Sequence, residues 1–413
     1  RDCGRDLLRM VAEGPSALRG FHRKLAIGQE YVFPAARGII WDLRRQKDGI
    51  ICPLDFDAAP VATLDFSPYA DVLASYPDQE AVGFLFAGVQ FKADHSLELL
   101  FLPHLLDLSR GTARVDVELT RLTQIGWYEV CSELPFVPCR CVPNGTVERK
   151  LEPLRPRRKE DQGQPRSPLP VRGNDGYASV LNQAIDLHGE LPDGSRKWPP
   201  EIKPTPAAAM RDLVVLRSAA ARTNQPVLMF ADDFSDYFNQ FASAPSEMWK
   251  LVLFWLPRDT SATSPPYSYL VSRSLGYGIA AASNVAQRFA DIILFLVARE
   301  MDALEAVAPL STAEQSWVQH RRRLFPHAPR EWRLWAARQY TDDPLFTAVG
   351  EARLVRLLRA WRRVTRRIRA RMAIPAKRSA GVVTSWLGLR FISTLGIVVI
   401  PDDKRMRALH ALR

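Results

Sequence analysis

Residues 335–349 read WAARQYTDDPLFTAV, so that two mostly apolar half-strands flank an acidic pair. Trp335–Tyr340 and Leu345–Val349 have the length and the residue types that are typical of short strands. Asp342 and Asp343 lie between them, at the position where a tight turn is expected. The stretch therefore predicts a β-hairpin that carries two neighbouring carboxylates at its tip.

A second acidic position follows another short apolar run. Ala207–Thr223 reads as a helix, with Thr205 suited to cap its first turn and Pro206 to occupy its first position. Val227–Phe230 then reads as a short buried strand, and Asp233 comes three residues later. The two acidic sites are far apart in the sequence, but strands of one sheet could bring them together.

Three later segments complete the outline of the fold. Ala280–Val307 has apolar residues at helical spacing, and Glu351–Met372 has an apolar face opposite nine arginines. Those arginines either add to a phosphate-binding surface or simply meet solvent or RNA without specificity. Trp386–Ile400 alternates like a β-hairpin, with Gly396 near its turn. This order of elements predicts an α+β fold in which helices back an antiparallel sheet.

The size and charge of the chain narrow its possible partners. It has 413 residues and a formal net charge of +11, and 47% of its residues are hydrophobic. The length exceeds that of one compact core, so two or three subdomains are expected. The positive charge favours a polyanionic partner such as nucleic acid, although a solvated basic surface would give the same composition.

Cysteine usage and hydropathy predict the compartment. The five cysteines form neither an even disulfide framework nor a zinc-site spacing, and they are Cys3, Cys52, Cys131, Cys139 and Cys141. Free thiols in a reducing compartment are therefore expected. Because no membrane-spanning run and no signal peptide are visible, the sequence predicts an intracellular protein of the cytoplasm or nucleus, neither secreted nor in a membrane. The opening at Arg1 also indicates a piece of a longer polyprotein or gene model.

The acidic positions are candidates for a metal site. Hard divalent cations such as Mg²⁺ prefer carboxylate oxygens held on rigid strands, and Asp233, Asp342 and Asp343 would supply them. Neighbouring carboxylates also repel each other unless a cation uses them. Taken alone, however, either acidic site is better explained as a solvated turn, because such turns are common.

The residues around these aspartates change that balance. Asp233–Phe241, with the sequence DFSDYFNQF, closely resembles motif A of reverse transcriptases. In that motif a strand-end Asp is followed three residues on by Asp and five residues on by an aromatic residue. Tyr340–Asp343 matches the Tyr-x-Asp-Asp motif C of the same family. A lone motif C would be weak support.

Three more motifs of the family occur in order. Leu275–Gly278 and Ser283–Phe289 resemble motif B, a glycine loop leading into the helix that supports the template and the incoming nucleotide. Ile374–Lys377 resembles motif D, whose lysine can donate a proton to the pyrophosphate leaving group. Trp386–Phe391 resembles motif E, the primer grip. Five motifs in family order over about Val227–Lys404 make the chain similar to the reverse transcriptase domain of a retroelement.

The resemblance implies a right-hand polymerase fold with fingers and palm, most of the thumb missing and an N-terminal extension. Residues 1–125 would form that extension, of unknown role, and residues 126–226 the fingers. Residues 227–375 would form the palm, with a fingers insertion at about 242–272. Residues 376–413 would contain the primer grip and the start of the thumb or connection.

The resemblance also implies the site residues and the reaction. The catalytic residues would be Asp233, Asp342, Asp343 and Lys377, with the three aspartates holding Mg²⁺ or, in its place, Mn²⁺. The dNTP-binding residues would be Lys150, Arg157, Asp236, Phe238, Gly278 and Gln287. The primer-grip residues would be Trp386, Leu387 and Gly388. The reaction would be template-directed DNA synthesis from dNTPs by two-metal transfer to a primer 3′-hydroxyl.

Several of these assignments have alternatives. Lys150 and Arg157 match the spacing of fingers residues that close on the triphosphate, and Arg155 or Arg158 could take the role of Arg157. A generic basic loop explains these residues equally well. Phe238 would pack under the deoxyribose and exclude ribonucleotides, or it would be a core residue. Asp232 competes with Asp233 as the ligand, and the alignment of motif A selects Asp233. Asp232 would then be exposed or on the other face of the sheet.

Departures from the family pattern point to a subfamily. Asn284 replaces the usual proline of motif B, and Tyr237 stands where motif A usually has a small residue. Together with Gln287 and the segment Pro77–Gln79, these features are closest to retroelements of the tyrosine-recombinase, or DIRS-like, type.

The function classes differ in their expected partners. A reverse transcriptase needs an RNA or DNA template–primer duplex and dNTPs, and its parent chain would add RNase H, recombinase or integrase domains. A catalytically degenerate relic would keep nucleic-acid binding alone, and an RNA-templated RNA polymerase would use ribonucleotides. The order His320, Arg323, Tyr340 mimics a tyrosine recombinase but lacks an identifiable upstream partner arginine.

Overall fold

The computed structural model has an α+β fold, as predicted, with helices and antiparallel sheets. The residues that it describes are 64–93, 119–131, 144–146, 170–172, 182, 185–255, 268–276, 278–402 and 404–406. The helices with both ends described are α1 (Ala70–Leu73), α2 (Gln79–Ala87), α3 (Pro206–Thr223), α4 (Ala282–Ala306), α5 (Thr312–Leu324) and α6 (Glu351–Arg367). None of these described helices is both long and apolar enough to cross a lipid bilayer.

The described strands are short and pair in antiparallel fashion. They are β1 (Tyr128–Cys131), β2 (Asn144–Thr146), β3 (Pro170–Arg172), β4 (Val227–Ala231), β5 (Val252–Trp255), β6 (Ser268–Ser272), β7 (Trp335–Tyr340), β8 (Asp343–Val349), β9 (Ser379–Gly381), β10 (Val383–Trp386), β11 (Leu389–Ile392) and β12 (Ile397–Val399). They form four sheets, in the orders β1-β6-β5, β2-β3, β7-β8-β4-β9 and β10-β11-β12.

Contacts divide the chain into two compact units, each assembled from segments that are distant in the sequence. The first unit consists of Arg1–Ala62, Val82–Pro199 and Phe238–Ser283. The second unit consists of Thr63–Ala81, Pro200–Tyr237 and Asn284–Arg413.

The second unit is built on the sheet β7-β8-β4-β9. The predicted hairpin is confirmed, because β7 and β8 pair from Trp335 opposite Ala348 to Tyr340 opposite Asp343. β4 lies between β8 and β9, and Phe230 of β4 stacks on its cross-strand neighbour Phe346. The sheet is buried by helices, chiefly α3 and α6.

Helix α3 begins and ends where its capping residues predict. The Thr205 side chain accepts a hydrogen bond from the Ala208 N–H, and Pro206 occupies the first position. Asn224 closes the helix in the left-handed conformation, with φ of 51°. The buried residues Leu213 and Leu216 then pack in the core of the second unit.

The carboxy-terminal part of the chain differs from the single hairpin that was expected there. Val383–Trp386 forms an additional strand, so that β10, β11 and β12 make a three-stranded sheet. The first turn is Leu387-Gly388, and both residues have positive φ, of 48° and 72°. Two consecutive positive φ values are the geometry of a two-residue type I′ hairpin turn, which reverses the chain directly after Trp386.

Helix α6 ends at Arg367, five residues before the predicted end at Met372. Arg369 has a φ of 56°, which is incompatible with a continuing right-handed helix. The turn brings Met372 into an antiparallel bridge with Phe234, just after β4. The pairing of Met372 with Phe234 therefore replaces the last predicted turn of the helix.

The first unit contains the sheet β1-β6-β5 and the two-stranded sheet β2-β3. Its described core includes Trp127 and Tyr128, which pack with Leu119, Leu122 and Leu270. Cys131, at the end of β1, is buried. The other four cysteines lie outside the described residues.

Candidate active site

Antiparallel pairing brings the two predicted acidic sites together. β4 runs beside β8, with Ala231 opposite Leu345. Just beyond the paired residues, the Phe234 N–H donates to the Asp342 carbonyl at 3.2 Å. Asp233 is therefore tied to the tip of the β7–β8 hairpin, more than 100 positions away in the sequence.

Each of Asp232 and Asp233 meets one of two consecutive basic residues. Ala231 pairs with Ser379 across β4 and β9, so continuing this antiparallel register sets the two aspartates opposite Arg378 and Lys377. The Lys377 ammonium donates to the Asp233 carboxylate. Arg378 Nε donates to Asp232 at 3.0 Å.

Asp232 faces the helix layer rather than the hairpin tip. Its carboxylate accepts hydrogen bonds from Trp361 Nε1 at 3.1 Å and from Arg378 Nε at 3.0 Å, and the residue is only 7% exposed. The sequence left Asp232 either exposed or on the other face of the sheet from Asp233. The structure places it on the other face. Asp233 is the aspartate that lies beside the hairpin tip.

Burial and mutual repulsion dominate the electrostatics of the hairpin aspartates. Burial raises the pKa of Asp342; a hydrogen bond from the Thr341 hydroxyl lowers it, and the charge of Asp233 raises it further. Burial, reinforced by the charges of Asp342 and Asp233, raises the pKa of Asp343 to about 7. The nearby Lys377 charge lowers both values. The cluster thus carries an electrostatic cost that a bound cation would relieve.

The donor set fits a hard divalent cation in its chemistry, because it consists of carboxylate oxygens at the ends of neighbouring strands. In the part of the chain that the structure describes, no three acidic, histidine or cysteine side chains are close enough to enclose a metal ion. Lys377 is the cation that meets Asp233 here, and its side chain is 57% exposed. An exposed lysine can leave its partner at little cost, which would free Asp233 as a ligand.

The hairpin tip is held in a strained conformation. Thr341 has a φ of 48°, a value that is unfavourable for a β-branched residue. Its N–H donates to Gln287 Oε1 at 3.1 Å, and its carbonyl accepts from Gln339 Nε2 at 2.7 Å. These bonds offset the strain and fix the direction in which Asp342 leaves the turn.

Gln287, a predicted dNTP-binding residue, lies inside the second unit. It is 2% exposed, and besides accepting from Thr341 it donates from Nε2 to the Gln339 carbonyl at 3.0 Å and to Asp291 at 3.1 Å. Its side-chain oxygen and nitrogen are therefore both engaged by the hairpin and by α4. This geometry makes Gln287 a positioning residue for the Tyr-Thr-Asp-Asp turn.

For the primer extension that the motif resemblance implies, replacing Gln287 by methionine is expected to lower kcat by about tenfold to a hundredfold, with the dNTP KM nearly unchanged. The variant keeps the side-chain volume but leaves the Thr341 N–H without its acceptor, so the turn and its aspartates shift. Steady-state extension kinetics measure the split between kcat and KM. A rise in KM at constant kcat would instead indicate direct nucleotide contact.

Two further variants control this prediction. Gln287→Glu keeps an acceptor for the Thr341 N–H, but it sets a carboxylate oxygen where Nε2 donates to the Gln339 carbonyl and to Asp291, so kcat should stay low. Gln315→Met makes the same substitution on α5, where the glutamine donates to the Leu310 carbonyl in an exposed bond, and it should leave both constants unchanged.

Tyr237, a departure from the usual motif A, connects that motif to α4. The residue is fully buried, and its hydroxyl donates to the Ala286 carbonyl at 3.2 Å. Its ring also packs on Phe234, with the ring centres 4.9 Å apart. The large side chain thus braces the segment after β4 against the motif B helix, which a small residue could not do.

The remaining predicted motif A residues differ in their surroundings. Asp236 has a φ of 51°, a conformation that aspartate tolerates better than most residues, and its carboxylate accepts a hydrogen bond from the Ser235 hydroxyl at 3.2 Å. Phe238 is half-buried and is the first residue of its segment in the first unit. Both roles at the nucleotide remain predictions.

The glycine loop of motif B is braced by Asn182, which belongs to none of the predicted motifs. Asn182 Nδ2 donates to the Gly278 carbonyl at 2.8 Å, and its Oδ1 accepts from the Ala280 N–H at 2.9 Å. Gly278 itself is exposed, with a φ of 81° that suits glycine. Asn182 lies 96 positions before Gly278, so no local pattern could reveal the contact.

The predicted primer-grip residues form the β10–β11 turn. Trp386 is buried, and its Nε1 donates to the Asp343 carbonyl at 2.8 Å, which links the turn to the acidic hairpin. Leu387 and Gly388 are the two turn residues. A side chain at Gly388 would meet both a strained φ and the ammonium of Lys404.

The predicted triphosphate-binding residues Lys150 and Arg157 lie outside the described residues. Another basic residue near the motifs, Arg288, has a role that was not predicted from the sequence. Arg288 of α4 forms a two-point bond with Asp78, with both contacts at 2.6 Å, and reaches Glu80 at 2.9 Å. Part of the N-terminal segment thus anchors the motif B helix.

Comparisons with protein-family models and with curated proteins identify no relative of this chain.

Proposed function

We propose that this chain is the reverse transcriptase domain of a retroelement, which extends a primer with dNTPs on a nucleic-acid template. The observation that supports this most is the meeting of Asp233 with Asp342 and Asp343 at one end of an antiparallel sheet. The order and spacing of the five motifs add to it, and the net charge of +11 suits a polyanionic partner.

Asp233, Asp342 and Asp343 would hold Mg²⁺, for which Mn²⁺ could substitute. Bound there, the metal would activate the primer 3′-hydroxyl and neutralise charge on the triphosphate. The residues of the chain set up this site. Gln287 orients the hairpin aspartates, and Lys377 holds its proton beside Asp233, where it could pass to the pyrophosphate leaving group.

The other assignments belong to the same proposal. Asp236, Phe238 and Gly278, with Lys150 and Arg157, would contact the incoming dNTP. Trp386, Leu387 and Gly388 would guide the primer end, and the bond from Trp386 to Asp343 supports that role. The proposed polymerase fold, the DIRS-like subfamily and the RNase H, recombinase or integrase domains of a parent polyprotein follow from the resemblance.

Extension of a labelled primer by the purified chain tests the proposal. RNA and DNA templates are supplied with dNTPs in the presence of Mg²⁺, and EDTA serves as the negative control. We expect dNTP-dependent extension that stops in EDTA. Extension with ribonucleotides in preference to dNTPs would favour an RNA polymerase, and template binding without extension would favour a relic.

Replacing Phe238 by alanine is expected to raise ribonucleotide incorporation relative to dNTP incorporation by about tenfold or more. An aromatic ring under the sugar would exclude the ribose 2′-hydroxyl, and steric discrimination of this size is worth about 1–3 kcal/mol. Single-nucleotide incorporation with paired rNTP and dNTP substrates measures the ratio. If Phe238 is a core residue instead, the variant should lose stability with no change in sugar selectivity.

A further inference from the structure

The arginines of α6 fall into two rows with different partners. One row pairs with glutamates of neighbouring helices, through Arg353 to Glu305 at 2.8 Å and to Glu314 at 2.9 Å, and through Arg363 to Glu300 at 2.8 Å. This row stabilises the packing of the helix. The expectation that the arginines simply meet solvent or phosphate therefore does not hold for it.

The second row consists of Arg359, Arg362 and Arg366. Their spacing of three and four residues places them on one side of the helix. All three are exposed, and no acidic side chain among the described residues pairs with any of them. Three unneutralised guanidinium groups in a row favour an anionic ligand.

Arg362 and Arg366 line a cavity together with Arg378, which lies in a different segment of the chain. The cavity has a volume of about 330 Å³ and lies behind the end of β4, where its lining includes Arg362, Arg366 and Arg378 with Asp232 and Trp361. Arg359, one turn away, does not line it. The volume is at the lower end of the range for small-molecule sites.

Asp232 does not cancel the positive charge of this cavity. Its carboxylate already accepts hydrogen bonds from Trp361 Nε1, from Arg378 Nε and from the Asp233 N–H. Arg378 uses Nε in that contact, so its terminal nitrogens are left to donate elsewhere. Three guanidinium groups against one bonded carboxylate leave the lining with a positive excess.

We propose that this cavity binds a phosphate group, held by the planar donor forks of Arg362, Arg366 and Arg378. The site is separate from the acidic cluster, because Asp232 lines the cavity, whereas Asp233 does not line it and pairs with Lys377. The shared chemistry is a phosphate oxyanion, which a small phosphorylated compound or a nucleic-acid backbone could supply.

Calorimetric titration with inorganic phosphate and with AMP tests the site, using the full chain in a phosphate-free buffer at constant ionic strength. Arg362→Gln and Arg366→Gln should each weaken binding by about tenfold or more, because each removes charge-assisted hydrogen bonds. Arg359→Gln is the matched control, since it removes the same charge from the same row outside the cavity. It should bind phosphate like the native chain.

Two outcomes would overturn the proposal. One is the absence of any phosphate binding by the native chain, and the other is an equal loss in Arg359→Gln, which would indicate diffuse attraction by the helix. Circular dichroism of each variant checks that it is folded. Competition by a short single-stranded oligonucleotide at low salt distinguishes the two sources of the phosphate group. If the oligonucleotide displaces phosphate, the ligand is a nucleic-acid backbone; if it does not, the ligand is a small phosphorylated compound.

Discussion

Replacing Asp342 by asparagine is expected to abolish primer extension, with the rate falling by about 10³-fold or more. The amide keeps the size of the carboxylate and can still accept the hydrogen bond from the Thr341 hydroxyl, which is 2.9 Å long. It loses a negatively charged ligand, and metal stabilisation of transition-state charge is worth several kcal/mol, or about 10³-fold in rate. Primer–template binding should persist, because lysine and arginine contacts to phosphate set that affinity.

Asp233→Asn should have the same effect, because Asp233 meets Asp342 at the same end of the sheet. Asp302→Asn is the matched control. It removes the same charge from a side chain that is 51% exposed and pairs with Arg333, and it should extend primers at the native rate. Gel-resolved extension in Mg²⁺ measures all three variants. Undiminished synthesis by Asp342→Asn would rule out the metal assignment.

The parts of the fold that the sequence predicted are those set by local interactions. The limits of α3 follow from Thr205, Pro206 and Asn224, because capping bonds act within one turn. The β7–β8 hairpin follows from two apolar runs on either side of one acidic pair. In both cases the deciding residues are within a few positions of the element that they define.

The contacts that escaped prediction join residues far apart in the chain. The bond from Asp78 to Arg288 spans 210 positions, and hydropathy patterns contain no information on such a pair. Helical periodicity likewise identified the polar side of α6 but not its glutamate partners Glu300 and Glu305. Periodicity predicts which side of an element is polar, whereas tertiary packing decides what that side meets.

The candidate site likewise has local features that the sequence predicted and long-range contacts that it did not. Strand alternation is enough to predict that Asp232 and Asp233 project to opposite sides. Their partners Arg378 and Lys377 depend on the pairing of β4 with β9, whose register the sequence did not predict. The contact of the Gln287 amide with the backbone of the hairpin was also not predicted, since the motif position of this residue suggested only a nucleotide contact.

Replacing Trp361 by alanine is expected to lower the free energy of unfolding by about 3–5 kcal/mol. The indole is 1% exposed and packs edge-on against Phe234 at 5.5 Å and at a tilt against Phe346 at 5.0 Å. Its removal leaves a cavity between α6 and the central strands and takes a hydrogen bond from Asp232. Since typical domains are stable by about 5–15 kcal/mol, this loss would be a large fraction of the total.

Trp361→Phe separates the hydrogen bond from the packing. Its ring still fills most of the space, but the buried Asp232 carboxylate loses one donor, so a loss of about 1–3 kcal/mol is expected. Trp317→Phe is the matched control, because Trp317 is equally buried and donates at 3.2 Å to the neutral Ser218 hydroxyl. That variant should lose about 0.5–1.5 kcal/mol. Urea unfolding followed by circular dichroism measures both, and equal losses would mean that Arg378 and the Asp233 N–H stabilise the charge of Asp232 without help from Trp361.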